Sequence, residues 1–208
     1  MFKISASLFV SDDPLIYAKQ LKSDEIDYFH LDYIEGIRSY FQLNRINIFD
    51  SFKIPLDVHL ICSTIGKDTI SILNNSSTRI LSVQFENLVA RDRAINYLLD
   101  FKYGFGFAVS PNTDLKLLYP YRHIMNHIMV MCSTPGVSGA KFNESSIDYI
   151  RKVRLYFPGI SIYIDGGLDA EKFKYMRCED VSLTVFGSYL YKNRNNLQMV
   201  LKELKSEL

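Results

Sequence analysis

Tryptophan is absent, so the aromatic content rests on 14 Tyr and 14 Phe. Apolar runs of membrane length are also missing. None reaches the roughly 18 residues that a spanning helix needs, and no membrane partner is expected. Charge of one sign is not in excess: 24 Lys and Arg face 23 Asp and Glu, a net of +1. No broad field therefore draws the chain to nucleic acid. Cysteine is scarce, with Cys62, Cys132 and Cys178 and no CxxC pair. That odd, scattered set argues against a disulfide framework and for free thiols in a reducing, cytoplasmic compartment. The opening MFKISASLFVSDDP has no small-residue cleavage site and reads as a first strand, not a signal peptide. Linkers, low-complexity tracts and a second domain are not found either. The 208 residues, 48% hydrophobic and 23% charged, are expected to form one domain over 1–208.

What is present begins with Asp27 to Gly36, DYFHLDYIEG. It reads as a strand ending in chemistry. Strand side chains alternate between faces, so His30 and Asp32 point one way and Phe29, Leu31 and Tyr33 the other. A His and an Asp two apart can grip one metal ion from one side. Pro55 to Ile61, PLDVHLI, repeats the device with Asp57 and His59. Ser161 to Gly167, SIYIDGG, ends a β-branched run on Asp165. If these strands are neighbours, His30, Asp32, His59 and Asp165 converge on a point. The plainer reading of each alone is a hydrogen-bonded His or a glycine turn. The three signals gain weight by coming in order, each at the C-terminal end of a strand.

Strands and helices alternate along the chain. Strands are expected over 3–10, 27–34, 55–61, 79–84, 104–109, 124–131, 160–164 and 181–186. Helices are expected to about Lys22 and near 45–52, 66–74, 91–101, 144–156, 170–175 and 196–204, with a further one after Thr113. Ser11 or Asp12 is the expected cap of the first, with Pro14 in its first turn. Eight strands, each followed by a helix, predict an α/β fold, a single-domain (β/α)8 TIM barrel. Barrels often bind phosphate in the loops after strands seven and eight. Gly166 and Gly167, Gly187 and Ser188, and the Gly136–Gly139 loop are the candidates, because a missing Cβ lets backbone approach an anion. His123 and His127 are four apart, but they precede and enter a strand and are set aside as a metal pair. Cys62 and Cys132 read as small buried residues.

These motifs, in order and spacing, resemble the ribulose-phosphate 3-epimerase family along nearly the whole chain. Ile4–Leu8 resembles its ISPSL, HLDYIEG its HxDxMDG, and PLDVHL its DVHLM region. VMCSTPGVSGAKF resembles VMxVxPGFGGQxF, while IDGGL and VFGSYLY resemble its DGG and AGSxxF. The resemblance implies a ribulose-phosphate-binding type of barrel and an isomerase of carbohydrate metabolism, in the pentose phosphate pathway. It implies one divalent ion (Zn, Fe, Mn or Co) held by His30, Asp32, His59 and Asp165. It makes Asp32 and Asp165 the acid/base pair that inverts C3 of D-ribulose 5-phosphate through an enediolate to give D-xylulose 5-phosphate. Ser7, His59, Met131, Gly136, Val137, Ser138, Gly139, Gly166, Gly167, Gly187 and Ser188 would hold the sugar phosphate. Family members commonly assemble, so a homo-oligomer is a further expectation.

The departures fall around the substrate. The family's MDG is Ile34-Glu35-Gly36, its second active-site Met is Ile61, and its Pro-Asn loop is replaced by Ile37 to Gln42. Ala140 stands for its Gln, Val83-Gln84-Phe85-Glu86 for its VHxE, and Ser110 to Thr113 for its NPGT. That pattern implies retained chemistry with altered substrate fit or rate. The rivals are an epimerase for another keto-sugar phosphate, such as a hexulose 6-phosphate, and a non-catalytic sugar-phosphate-binding barrel. Related decarboxylase barrels carry a Lys on strand two, which is missing here. Indole-forming barrels carry Lys and Glu at strand ends in an order not found here.

Overall fold

The computed structural model describes residues 2–8, 10–21, 26–36, 42–137, 139–177 and 179–206. Phe9, Lys22, 37–41 of the replaced loop, Ser138 and Cys178 lie outside them. Eight parallel strands close into a barrel in chain order. They are β1 (Lys3–Ser7), β2 (Tyr28–Ile34), β3 (Leu56–Ile61), β4 (Thr78–Gln84), β5 (Phe105–Val109), β6 (Met125–Met131), β7 (Ser161–Asp165) and β8 (Leu183–Phe186). The ring closes where Lys3 to Ala6 of β1 pair with Leu183 to Phe186 of β8. The α-helices are α1 (Pro14–Gln20), α2 (Lys67–Asn74), α3 (Arg91–Leu98), α4 (Ser145–Tyr156), α5 (Ala170–Arg177), α6 (Ser188–Lys192) and α7 (Leu197–Ser206).

Parallel strands are covered on both faces, which is why they read as apolar runs with isolated polar interruptions. Residues such as Phe29, Leu31, Val58 and Leu60 face outward and pack in the layer between barrel and helices. Inside the ring a smaller cluster joins Ile80, Ala108, Met129, Met131, Leu183 and Val185. Polar side chains fill other inner positions: Ser5, Asp57, Ser82 and His127 are all buried. His127 stacks on Tyr163, with ring centroids 4.3 Å apart, and its Nε2 lies 2.8 Å from Ser82 Oγ. A Cβ on Gly106 would stand 2.4 Å from the His127 carbonyl oxygen, so the facing β5 position has room only for glycine. His123 stands exposed before β6 begins. Cys62 and Cys132 are buried and free.

Three local expectations are corrected. The cap of α1 is Asp13, not Ser11 or Asp12. Its carboxylate accepts from Ile16 N at 2.9 Å, the third residue on, as N-cap geometry requires. The segment after β2, Leu43–Phe52, is a 3₁₀ helix. Leu43, Ile46, Phe49 and Phe52 all pack on the core. Their spacing of three matches the eclipsed side chains of a 3₁₀ helix, not the 3.6 period of an α-helix. No α-helix follows β5 either. Two 3₁₀ turns, Leu115–Leu117 and Tyr119–Tyr121, stand there. Pro120 has no N–H for a continuing helix.

Candidate active site

Asp32 and Asp165 lie toward the C-terminal ends of their strands, with His30 and His59 buried below. In register, Asp32 of β2 sits beside His59 of β3, and His30 beside Asp57. Asp165 ends β7 beside Met131, the last residue of β6. Each of His30, Asp32, His59 and Asp165 offers one ligand atom, and these atoms all lie within 4.8 Å of one another. His30 Nε2 is 3.3 Å from Asp32 Oδ1 and 3.7 Å from Asp165 Oδ2. His59 Nδ1 is 3.1 Å from the same Asp32 oxygen.

Behind each imidazole stands a second acceptor. His30 Nδ1 lies 2.8 Å from Asp57 Oδ2, which also accepts from Ser5 Oγ at 2.9 Å. His59 Nε2 lies 2.9 Å from Gln84 Oε1. A neutral imidazole has one donor and one acceptor nitrogen. Both rings therefore face acceptors on both sides. A cation on the inward nitrogens removes the conflict, because it binds the lone pairs and the carboxylates together. The donor set thus fits a divalent ion with outer carboxylate and amide partners that orient its histidines.

The two central carboxyls are driven apart. Burial pushes Asp32 up, but His30 and His59 outweigh it and hold the group well below the usual carboxylate range. Burial raises Asp165 to about 6. Burial lowers His30, yet Asp32 and Asp57 together hold it well above its ordinary value. Two carboxyls with opposite proton preferences at one point are the arrangement that acid/base chemistry uses.

A cleft of about 520 Å³, counted to its open mouth, lies over this cluster. Asp32 and Asp165 reach it, while His30 and His59 lie fully buried beneath. Ser7, Met131, Gly136, Val137, Gly139, Gly166, Gly167, Gly187 and Ser188 line it. Ser133, Thr134 and Ala140 also line the cleft. At Gly167, with φ +67°, a Cβ would stand 2.5 Å from the Phe142 backbone nitrogen, so only glycine lets these loops meet. A Cβ on Gly136 would stand 2.7 Å from Ile34 Cδ1 and 3.7 Å from Ile61 Cδ1. Ile34 and Ile61 thus pack under this loop. Ser5, Asp57 and Gln84 support the site from behind, through contacts between strands that no single-strand pattern indicates.

A profile of the Ribulose-phosphate 3 epimerase family matches residues 3–191. The chain belongs to this epimerase family. Its isomerase class follows from that membership, as does a sugar phosphate as the kind of molecule it takes. The chain is 23% identical over 205 residues to the ribulose-phosphate 3-epimerase of Helicobacter pylori, covering 93% of this chain and 92% of that one. It is 24% identical over 158 residues to the ribulose-phosphate 3-epimerase of Buchnera aphidicola, covering 74% and 68%. Among solved structures, a mutant tryptophan synthase alpha-subunit from Pyrococcus furiosus superposes with a TM-score of 0.74 at 15% identity, over 99% of this chain and 98% of that one. The N-(5'-phosphoribosyl)anthranilate isomerase of Pyrococcus furiosus gives 0.66 at 13% identity, over 99% and 100%. Those two likenesses show the barrel fold alone. No helix of the described residues is long and apolar enough to cross a membrane.

Proposed function

We propose that this member of the family is a metal-dependent epimerase that inverts C3 of D-ribulose 5-phosphate to give D-xylulose 5-phosphate. The observation that carries the reading is geometric: Asp32 and Asp165 both reach the floor of one cleft, and with His30 and His59 they bring four donor atoms within 4.8 Å of one another. Inversion beside a ketone needs a proton taken from one face of the carbon and another given to the opposite face. One aspartate takes the C3 proton and leaves the electron pair on an enediolate. The other, protonated, returns a proton from the far side. The two carboxyls then stand with their protonation states exchanged, and the reverse reaction restores them. A divalent ion held by His30, Asp32, His59 and Asp165 would supply Lewis-acid stabilisation of the developing negative charge. Zinc, iron, manganese and cobalt all suit a mixed imidazole and carboxylate set.

The glycine-walled end of the cleft supports phosphate binding. Gly166, Gly167 and Gly187 line it beside Ser7 and Ser188, so main chain can approach an anion there. Met131 presents an apolar surface to the sugar carbons. Ser138 belongs to this loop by sequence. Free, buried Cys62 and Cys132 fit a reducing cytoplasm, and the proposed substrate and product would belong to the pentose phosphate pathway.

The test is proton exchange. Metal-loaded protein is incubated with ribulose 5-phosphate in heavy water and followed by NMR. Deuterium at C3 together with xylulose 5-phosphate is expected. Metal-bound protein that yields neither overturns this substrate. Exchange on a hexulose 6-phosphate in its place would assign the changed residues Ile34, Ile61 and Ala140 to a longer sugar.

A further inference from the structure

Gln84, the last residue of β4, is 1% exposed and lies between His59 and Glu86. Its amide oxygen is 2.9 Å from His59 Nε2. Its amide nitrogen donates to Glu86 Oε2 at 2.6 Å. An amide has one end that only accepts and one that only donates. The neighbour beyond it decides which end faces His59. A carboxylate only accepts, so the Gln84 amino group must face Glu86. The amide oxygen then faces His59, and Nε2 must carry a hydrogen. The inward nitrogen, Nδ1, keeps its lone pair for the cluster.

Turning the amide over would set two acceptor oxygens against each other and an N–H donor against His59. Glu86 does not yield easily, because its other oxygen is also engaged. It accepts from Ser110 N at 2.8 Å and from the Thr113 hydroxyl. The Tyr149 hydroxyl donates to the Thr113 carbonyl at 2.9 Å and ties this loop to α4. Neither Gln84 nor Glu86 lines the cleft over the cluster.

We propose that Gln84 and Glu86 are positioning residues that lock the His59 ring to present Nδ1, and so set the affinity of the cluster for a divalent cation. The inference rests on reading His30, Asp32, His59 and Asp165 as one cation site. It concerns only how the chain prepares His59, whatever the substrate.

The test uses zinc as the probe, with affinity read by competition against a chromogenic chelator. Gln84→Met keeps the length of the side chain and removes the acceptor. It is expected to weaken zinc binding by about 10- to 100-fold, the usual effect of losing an outer partner of a metal-bound histidine. Glu86→Ala leaves Gln84 in place but frees its amide to turn, and is expected to cost roughly 2- to 10-fold. This second site is exposed, so its variant keeps the test open if the buried one fails to fold. The double variant should bind zinc no more weakly than Gln84→Met alone, since both act through one bond. In zinc-loaded protein labelled with ¹⁵N-histidine, the His59 Nε2–H resonance should be protected from exchange and lose that protection in either single variant.

Wild-type affinity in Gln84→Met, losses that simply add, or a wild type that binds no zinc overturns the proposal. A wild type that binds zinc in the expected way but moves no proton on a ketose phosphate overturns the epimerase reading alone.

Discussion

Asp57 is not among the residues that line the cleft, yet it holds His30, which lies beneath that cleft. Its Oδ2 receives Ser5 and His30 together, while among the described residues Oδ1 has no hydrogen-bond partner. A buried carboxylate left half-satisfied is costly, and its return is a fixed orientation of His30. Asp165 differs in kind, because it reaches the cleft and is raised to about 6 by burial. Asp165→Asn is expected to lower epimerisation by about 10²- to 10⁴-fold, the usual scale of a lost acid or base. In heavy water the variant should still exchange the epimer whose C3 hydrogen faces Asp32. Unchanged conversion would remove Asp165 from the proton transfer. The four cluster residues were legible in the sequence because strand alternation alone assigns their faces. Asp57 and Gln84 were not, as supports. Spacing puts Asp57 on the face of His59, but only the register of β2 on β3 brings it to His30. Gln84 gains meaning only from partners 25 residues before it and two after it.

At the scale of the elements, β6 carries a buried titrating group that does not line the cleft. Burial lowers His127 to about 4, against an ordinary value of 6.5. Between those values the unfolded chain binds a proton that the folded chain refuses. The resulting stability is fully present above about pH 6.5 and drains away as pH falls towards 4. The shift corresponds to roughly 3 kcal/mol. Asp165, raised to about 6, works in the opposite direction over the same range, so the His127 contribution is read as a difference: in urea unfolding of metal-free protein from pH 7 to pH 4, the stability gap between wild type and His127→Gln should change by about that amount. An identical slope in the variant would assign the acid sensitivity elsewhere. The strands themselves were readable to within a few residues, because each is an apolar run bounded by turn residues. The helix expected near 45–52 stands there as a 3₁₀ helix, while the one expected after Thr113 gives way to two 3₁₀ turns. An apolar spacing of three at Leu43, Ile46, Phe49 and Phe52 signals a 3₁₀ helix, but it resembles an α-helical face when only the i, i+3 contacts are noticed.

The whole barrel is what brings the cluster together. His30, Asp32 and His59 lie on adjacent strands, but Asp165 comes from β7, across the ring in sequence. A cation that binds only the closed barrel stabilises it by about 2.7 kcal/mol at a hundred times its dissociation constant. For a chain of this length that is a rise in melting temperature of roughly 5–11 °C. Zinc added to chelator-treated protein should produce the rise, His59→Ala should abolish most of it, and a chelator should reverse it. An unchanged melting temperature at saturating zinc would break the link between ion and closure. The same topology imposes a timetable on synthesis. By the time His59 leaves the ribosome three of the donors exist, but the fourth waits for more than a hundred further residues. A newborn chain could therefore not engage an ion through all four donors until nearly the entire hoop had been made, and capture of such an ion would be a late signal that the hoop had shut.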